Sequence, residues 1–167
     1  MMGGSLGLAL RSKGAGVRVS AQARRAEIRS LALSIGAADE VHEDPAAAVA
    51  DADVVVLCTP ILSMTDLVRR CRSALRAGAL VTDVGSTKSS LVKAIREILE
   101  GTGAWFVGSH PIAGSEQQGL DAARTDLYEG AVTVVTPAGD EPAEVLAGVQ
   151  RFWERVGSVV HCMSPEE

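Results

Sequence analysis

The sequence predicts an α/β domain with a doubly wound, mainly parallel sheet and helices on both faces. Three observations carry that prediction. Short apolar runs alternate with segments of helical periodicity along almost the whole chain, and the connections between them are short, which is the pattern of a parallel sheet wound with helices. The run Asp53-Val54-Val55-Val56-Leu57-Cys58 is apolar at odd and even positions alike, as a central strand covered on each side would be. Aromatic residues make up only 3% of the chain, so the core is expected to be built from Val, Leu, Ile and Ala.

In chain order, strands are predicted at 17–21, 53–59, 79–84, 104–108, 131–136 and 158–163. Helices lie between them. One places Ile28, Leu31, Ala32 and Ile35 on a single face, the next Leu67, Val68, Cys71 and Leu75, and the third Leu91, Ile95, Ile98 and Leu99. The last helix aligns Val145, Val149, Phe152, Trp153 and Val156. Pro45–Ala50 reads as a short helix with Asp44 as its cap and Pro45 at its first position. The opening Met1-Met2-Gly3-Gly4-Ser5-Leu6 reads as a helix start with no strand before it, and the chain stops at Ser164-Pro165-Glu166-Glu167 just after a strand. The expectation is therefore one domain over residues 1–167 whose first strand is missing and whose ends are both cut.

Charge and cysteine content exclude several functions. A net charge of −5 with scattered Lys and Arg speaks against nucleic acid as a partner, because neutralising phosphates needs clustered cations. No apolar run approaches the ~20 residues of a membrane span, so no membrane partner is expected. The cysteines at 58, 71 and 162 and the histidines at 42, 110 and 161 are too dispersed for a disulfide framework or a metal site. A reducing cytoplasm and no metal are the expectations.

Candidate sites fall at the ends of strands. Gly3-Gly4-Ser5 opens a helix and fits two roles, a plain cap or a phosphate-binding turn whose N–H groups and dipole face an anion. After the next strand, Ser20-Ala21-Gln22-Ala23-Arg24-Arg25 carries no acid for a ribose 2′-hydroxyl. Gln22 and Arg24 are candidates at that position. Arg24 and Arg25 suit the phosphate of NADP or, equally, the surface of a helix's first turn. Cys58-Thr59-Pro60 ends what reads as the most buried strand, at the edge where ligands lie in an open α/β sheet. Asp83-Val84-Gly85-Ser86-Thr87-Lys88 leads from a strand to a helix, so Ser86 or Thr87 caps that helix, and Ser86 can also face the cleft. His110 follows a strand end, precedes Pro111, and is trailed by the small Ala113, Gly114 and Ser115 and the carboxylate of Glu116. A neutral imidazole there can accept a proton from a substrate hydroxyl as hydride leaves, with Ser86 orienting it.

These segments together resemble the nucleotide-binding domain of the prephenate/arogenate dehydrogenase family. Gly3-Gly4-Ser5-Leu6 is similar to the end of that family's glycine-rich loop. Asp83-Val84-Gly85-Ser86-Thr87-Lys88 resembles its Asp-Val-Gly-Ser-Val-Lys segment, and His110-Pro111-Ile112-Ala113-Gly114 its His-Pro-Met/Ile-Ala-Gly segment. Leu127-Tyr128-Glu129-Gly130 with Val134-Val135-Thr136-Pro137 is similar to its Leu-Phe-Glu-Gly…Thr-Pro. The resemblance implies a Rossmann-type fold, NAD or NADP as cofactor, and oxidative decarboxylation of prephenate or arogenate in tyrosine biosynthesis. It further implies that His110 and Ser86 are catalytic, that Ser115 and Glu116 line the substrate pocket, and that a separate helical domain supplies a homodimer interface. Two other readings stand beside it: a sibling dehydrogenase of the β-hydroxyacid type, and a non-catalytic nucleotide-binding module.

Overall fold

The computed structural model describes residues 1–14, 16–87, 89–114 and 119–164. Among these residues there are six α-helices and eight strands: α1 (Met2–Ser12), β1 (Ser20–Gln22), α2 (Ala26–Ser34), β2 (Glu40–His42), α3 (Pro45–Val49), β3 (Val54–Leu57), α4 (Ile61–Cys71), β4 (Leu80–Asp83), α5 (Ser89–Leu99), β5 (Trp105–Phe106), β6 (Gly108–Pro111), β7 (Val132–Thr136), α6 (Ala143–Arg155) and β8 (Val159–Cys162). The short α3 starts as its sequence requires, with the Asp44 carboxylate accepting the Ala46 N–H. Among the described residues no helix is long and apolar enough to cross a membrane.

The strands form three ladders. β1 pairs with β2, and β3, β4 and β5 pair in that order, all parallel. β6 pairs antiparallel with β7, and β7 pairs parallel with β8. The second and third ladders share one extended segment, because Val107 lies between β5 and β6 and donates its N–H to Val81 at 3.0 Å. Successive side chains of a strand point to opposite faces, and the cores divide accordingly. Leu57, Val81 and Phe106 join Met64 and Val68 of α4 and Ile95 and Leu99 of α5. Val56, Cys58, Val107 and Val135 join Leu6 and Ala9 of α1 and Val149 and Trp153 of α6. Helices thus cover both faces of a mainly parallel sheet, the architecture the alternating pattern predicted.

The structure corrects several details. β3 is not the most buried strand. Its valines are half-buried, because among the described residues it pairs along one edge only, with β4; an all-apolar run reports covered faces and says nothing about edges. β4 is the deeper strand, with Val81, Thr82 and Asp83 all buried. The predicted strand at 17–21 lies instead at Ser20–Gln22. Two strands, β2 and β6, were not predicted. α5 spans Ser89–Leu99, and residue 88, which joins it to the predicted cap at Ser86 or Thr87, lies outside the described residues.

Candidate active site

Because β3, β4 and β5 are parallel and β6 continues β5, residues 58–60, 83–86 and 110–112 all lie at one edge of the sheet. The first turn of α1 reaches the same edge. A Cβ built on Gly3 would stand 3.2 Å from the Cβ of Cys58, so the absent side chain lets the helix approach the end of β3. The first main-chain bond of α1 runs from Ser5 N–H to Met1 O at 3.0 Å, which leaves the N–H groups of Met2, Gly3 and Gly4 without an acceptor inside the helix.

Gly3, Gly4 and Ser5 are therefore helical, not a turn that precedes the helix. Gly4 is small for a different reason than Gly3: a Cβ there would be 2.2 Å from Leu120 and 3.1 Å from Ala123. The Ser5 hydroxyl is buried and accepts the Arg124 N–H at 3.0 Å. The phenol of Tyr128 donates to the Met2 carbonyl at 2.9 Å. Residues 120–128 thus clamp the start of α1 from behind, and Ser5 faces that clamp.

Beneath Gly3, burial pushes the Cys58 thiol up to about 12, with the nearby Asp83 carboxylate adding to the shift. The thiol stays protonated at neutral pH and is no nucleophile. Thr59, next along, has a buried hydroxyl oxygen with no hydrogen-bond partner among the described residues. Pro60 precedes α4, whose first residue, Ile61, packs over Gly85.

The centre of this edge is Asp83. Its side chain is fully buried, one oxygen accepting the Gly85 N–H at 2.8 Å and the other the Ser109 N–H at 3.0 Å. Gly85 has no room for a side chain, since a Cβ would lie 2.9 Å from that carboxylate and 2.9 Å from Ile61. The Ser109 hydroxyl donates to the Asp83 carbonyl at 2.7 Å. Its single proton is then spent, so Thr82 at 2.7 Å and the Trp153 indole at 3.0 Å must both donate to it. The exposed Ser86 directly follows Gly85, and His110 directly follows Ser109.

His110 itself sits inside β6, opposite Val134, not after a strand end as its sequence context suggested. Pro111 misled that reading, yet the ladder continues past it through Ile112 N–H to Val132 O at 2.7 Å. Alternation turns the imidazole to the sheet face opposite the Ser109 hydroxyl. Ser115 and Glu116, the expected substrate-pocket residues, lie outside the described residues.

At the far end of the edge, the Gln22 amide donates to the Glu43 carbonyl at 2.9 Å. Arg29 donates to the carbonyls of Ala23 and Arg24 at 3.0 and 2.8 Å and pairs with Glu43. Arg25, just before α2, lies 3.6 Å from Glu27. The Arg24 guanidinium has no hydrogen bond or ion pair among the described residues. A cavity of about 320 Å³ lined by Asp53, Arg76, Gly78, Glu144, Gly148 and Arg151 lies at the amino ends of β3 and β4, away from this edge. The N–H groups at the start of α1 over Cys58, the Thr59 hydroxyl and Arg24, each without a partner among the described residues, fit a dinucleotide laid along the carboxyl edge.

The family model of the prephenate dehydrogenase nucleotide-binding domain matches residues 6–162. The chain belongs to this family. It is 31% identical over 166 residues to the cyclohexadienyl dehydrogenase of Zymomonas mobilis, covering 99% of the chain and 56% of that protein. Prephenate dehydrogenase from Aquifex aeolicus, solved in complex with hydroxyphenyl propionate and NAD+, superposes with a TM-score of 0.90 at 35% identity, over 99% of the chain and 57% of its own. The arogenate dehydrogenase of Synechocystis gives 0.89 at 29%, over 98% and 56%. The chain spans a little over half the length of these relatives. Membership of the prephenate dehydrogenase family sets aside the β-hydroxyacid sibling reading. Asp83, Ser109 and Trp153, which are not among the sequence-predicted site residues, build this edge. Asp-x-Gly at a strand end was an available signal for one of their bonds, because an Asp side chain commonly accepts the N–H two residues on.

Proposed function

We propose that this chain is a single NAD(P)-binding domain and that, in the whole protein, it carries the catalytic half of a prephenate or arogenate dehydrogenase. One observation carries the reading. A single buried carboxylate, Asp83, holds the main chain immediately before Ser86 and before His110, at the edge where the first turn of α1 meets β3. In this reading the N–H groups of Gly3 and Gly4 hold the pyrophosphate, and Thr59 and Pro60 line the path of the cofactor. Arg24 is the residue on which the choice between NAD and NADP turns.

Bound there, the nicotinamide supplies a hydride acceptor for the substrate carbon that bears the hydroxyl. The imidazole of His110 takes the proton of that hydroxyl, the general-base work for which His is most often used. Ser86 orients the imidazole or the hydroxyl. The small Ala113 and Gly114 leave room for the substrate ring, and Ser115 and Glu116 contribute to its pocket. Loss of the substrate's ring carboxylate as CO2 then completes an aromatic ring. The Aquifex relative, crystallised with NAD+ and a hydroxyphenyl acid, supports the same pairing of cofactor and ring.

The test is direct. Fluorescence titration with NADH and NADPH measures cofactor binding, and cofactor reduction in the presence of prephenate or arogenate measures turnover. His110→Asn is expected to abolish turnover while leaving cofactor affinity within about twofold. Retained turnover in that variant would overturn the role of His110. Cofactor binding with no turnover of either substrate by the whole protein would favour a non-catalytic nucleotide-binding module.

A further inference from the structure

We infer that Asp83 is a positioning residue that splints the Ser86 loop to the His110 strand; the inference rests on the reading of Ser86 and His110 as the reacting pair. A buried carboxylate is tolerated only where hydrogen bonds replace its lost water. Among the described residues, two main-chain N–H groups in different parts of the chain contribute to that replacement. Gly85 lies in the loop leading to α5 and Ser109 lies in β6, and each immediately precedes one of the two proposed working side chains. The carboxylate is a flat, rigid group of fixed dimensions. It therefore sets the spacing between the Ser86 backbone and the His110 backbone as a bolt would, whatever the two side chains do.

The bolt is itself held. The Asp83 carbonyl takes the proton of the Ser109 hydroxyl, so residues 83 and 109 are joined twice, once through each one's side chain. Thr82 and the Trp153 indole donate to the same hydroxyl, which ties β4, β6 and α6 at one atom. Gly85 can approach the carboxylate to 2.8 Å because it has no Cβ, which would meet both Asp83 and Ile61 at 2.9 Å. Thr82, Asp83, Ser109 and Trp153 are all fully buried. Asp83 acts on the reaction only through the placement of its two neighbours.

Asp83→Asn tests the inference, because the amide keeps one acceptor and turns an N–H₂ toward the other main-chain N–H. Two readouts are needed. In the whole protein, kcat should fall by roughly a hundredfold, the scale on which small misplacements of reacting groups act, while KM for the cofactor stays within about twofold. In the 167-residue chain, the His110 imidazole NMR resonance should shift or split although residue 110 is unaltered. If the parent protein turns over neither substrate, the proposed function fails, but the imidazole signal still decides the positioning role. Should Asp83→Asn not fold, Gly85→Ala serves instead, since its Cβ pushes the carboxylate from the other side of the bolt. An unmoved His110 resonance in a folded Asp83→Asn or Gly85→Ala chain, or a parent-like kcat in Asp83→Asn, would overturn the inference.

Discussion

At the β4–β6 end of the candidate edge, Asp83, Thr82, Ser109 and Trp153 are wholly buried and bonded to one another. At the β1–β2 end the connections are ion pairs in solvent: Arg11 with Asp39, Arg18 with Glu40, and Arg29 with Glu43. The two kinds of bond answer to different physics. A buried polar group that loses its partner finds no water to replace it, so the first region admits one arrangement of its backbone. Exposed pairs are each worth about 0–1 kcal/mol and exchange freely with water, so the second can change its residues without losing the fold. Rigidity is concentrated at the end proposed to align the reacting groups, and latitude at the end proposed to meet the adenosine.

That contrast can be broken most severely at Ser109. Ser109→Ala removes the partner of the Asp83 carbonyl, the Thr82 hydroxyl and the Trp153 N–H at once. Each buried group left unpaired costs about 1–3 kcal/mol, so a loss of at least about 2 kcal/mol is expected. It would be read as a lower urea midpoint at unchanged slope. A change under about 0.5 kcal/mol would mean that the junction is no stiffer than the surface. The recognition end is sharpened by Arg24→Ala, expected to weaken NADPH about tenfold, or 1.4 kcal/mol, with NADH unaffected. Equal weakening of both cofactors would remove Arg24 from the phosphate site. Smallest of all, Arg18→Ala should shift stability by less than about 0.5 kcal/mol, and that shift should vanish in molar salt. A larger, salt-independent loss would erase the distinction between the two ends.

The helices were legible because their apolar faces recur at helical spacing, as Leu91, Ile95 and Leu99 do. β2 and β6 were not. Glu40-Val41-His42 is short and mostly polar, and Gly108-Ser109-His110-Pro111 has no β-branched residue and ends in proline. Both owe their strand state to main-chain pairing with distant residues, which leaves no local pattern. The valine run of β3 told which faces are covered but not that one edge lacks a described neighbour. Among the candidate residues, the glycines stood out at a helix start and Ser86 after a strand, while His110 was read after a strand end and lies inside β6. Asp83 stood in the same segment as Ser86, yet its bond to Ser109 spans 26 residues and could be seen only once β4 and β6 lay side by side. Gly4 carries a second role of the same kind: besides its main-chain N–H, it is a seat for Leu120.

That seat bears on how the protein comes to be folded. α1 is completed by partners far along the chain: Ser5 by Arg124, 119 residues on, and Met2 by Tyr128, 126 residues on. Contacts of such separation form late, after the intervening chain has lost its freedom. The helix that opens the cofactor edge is thus synthesised early and seated late. Until the segment after β6 arrives, Gly4 and Ser5 lack the partners that seat the start of α1. Competence to bind nucleotide would be the last property this domain acquires, and the first to disappear when residues 120–128 come away.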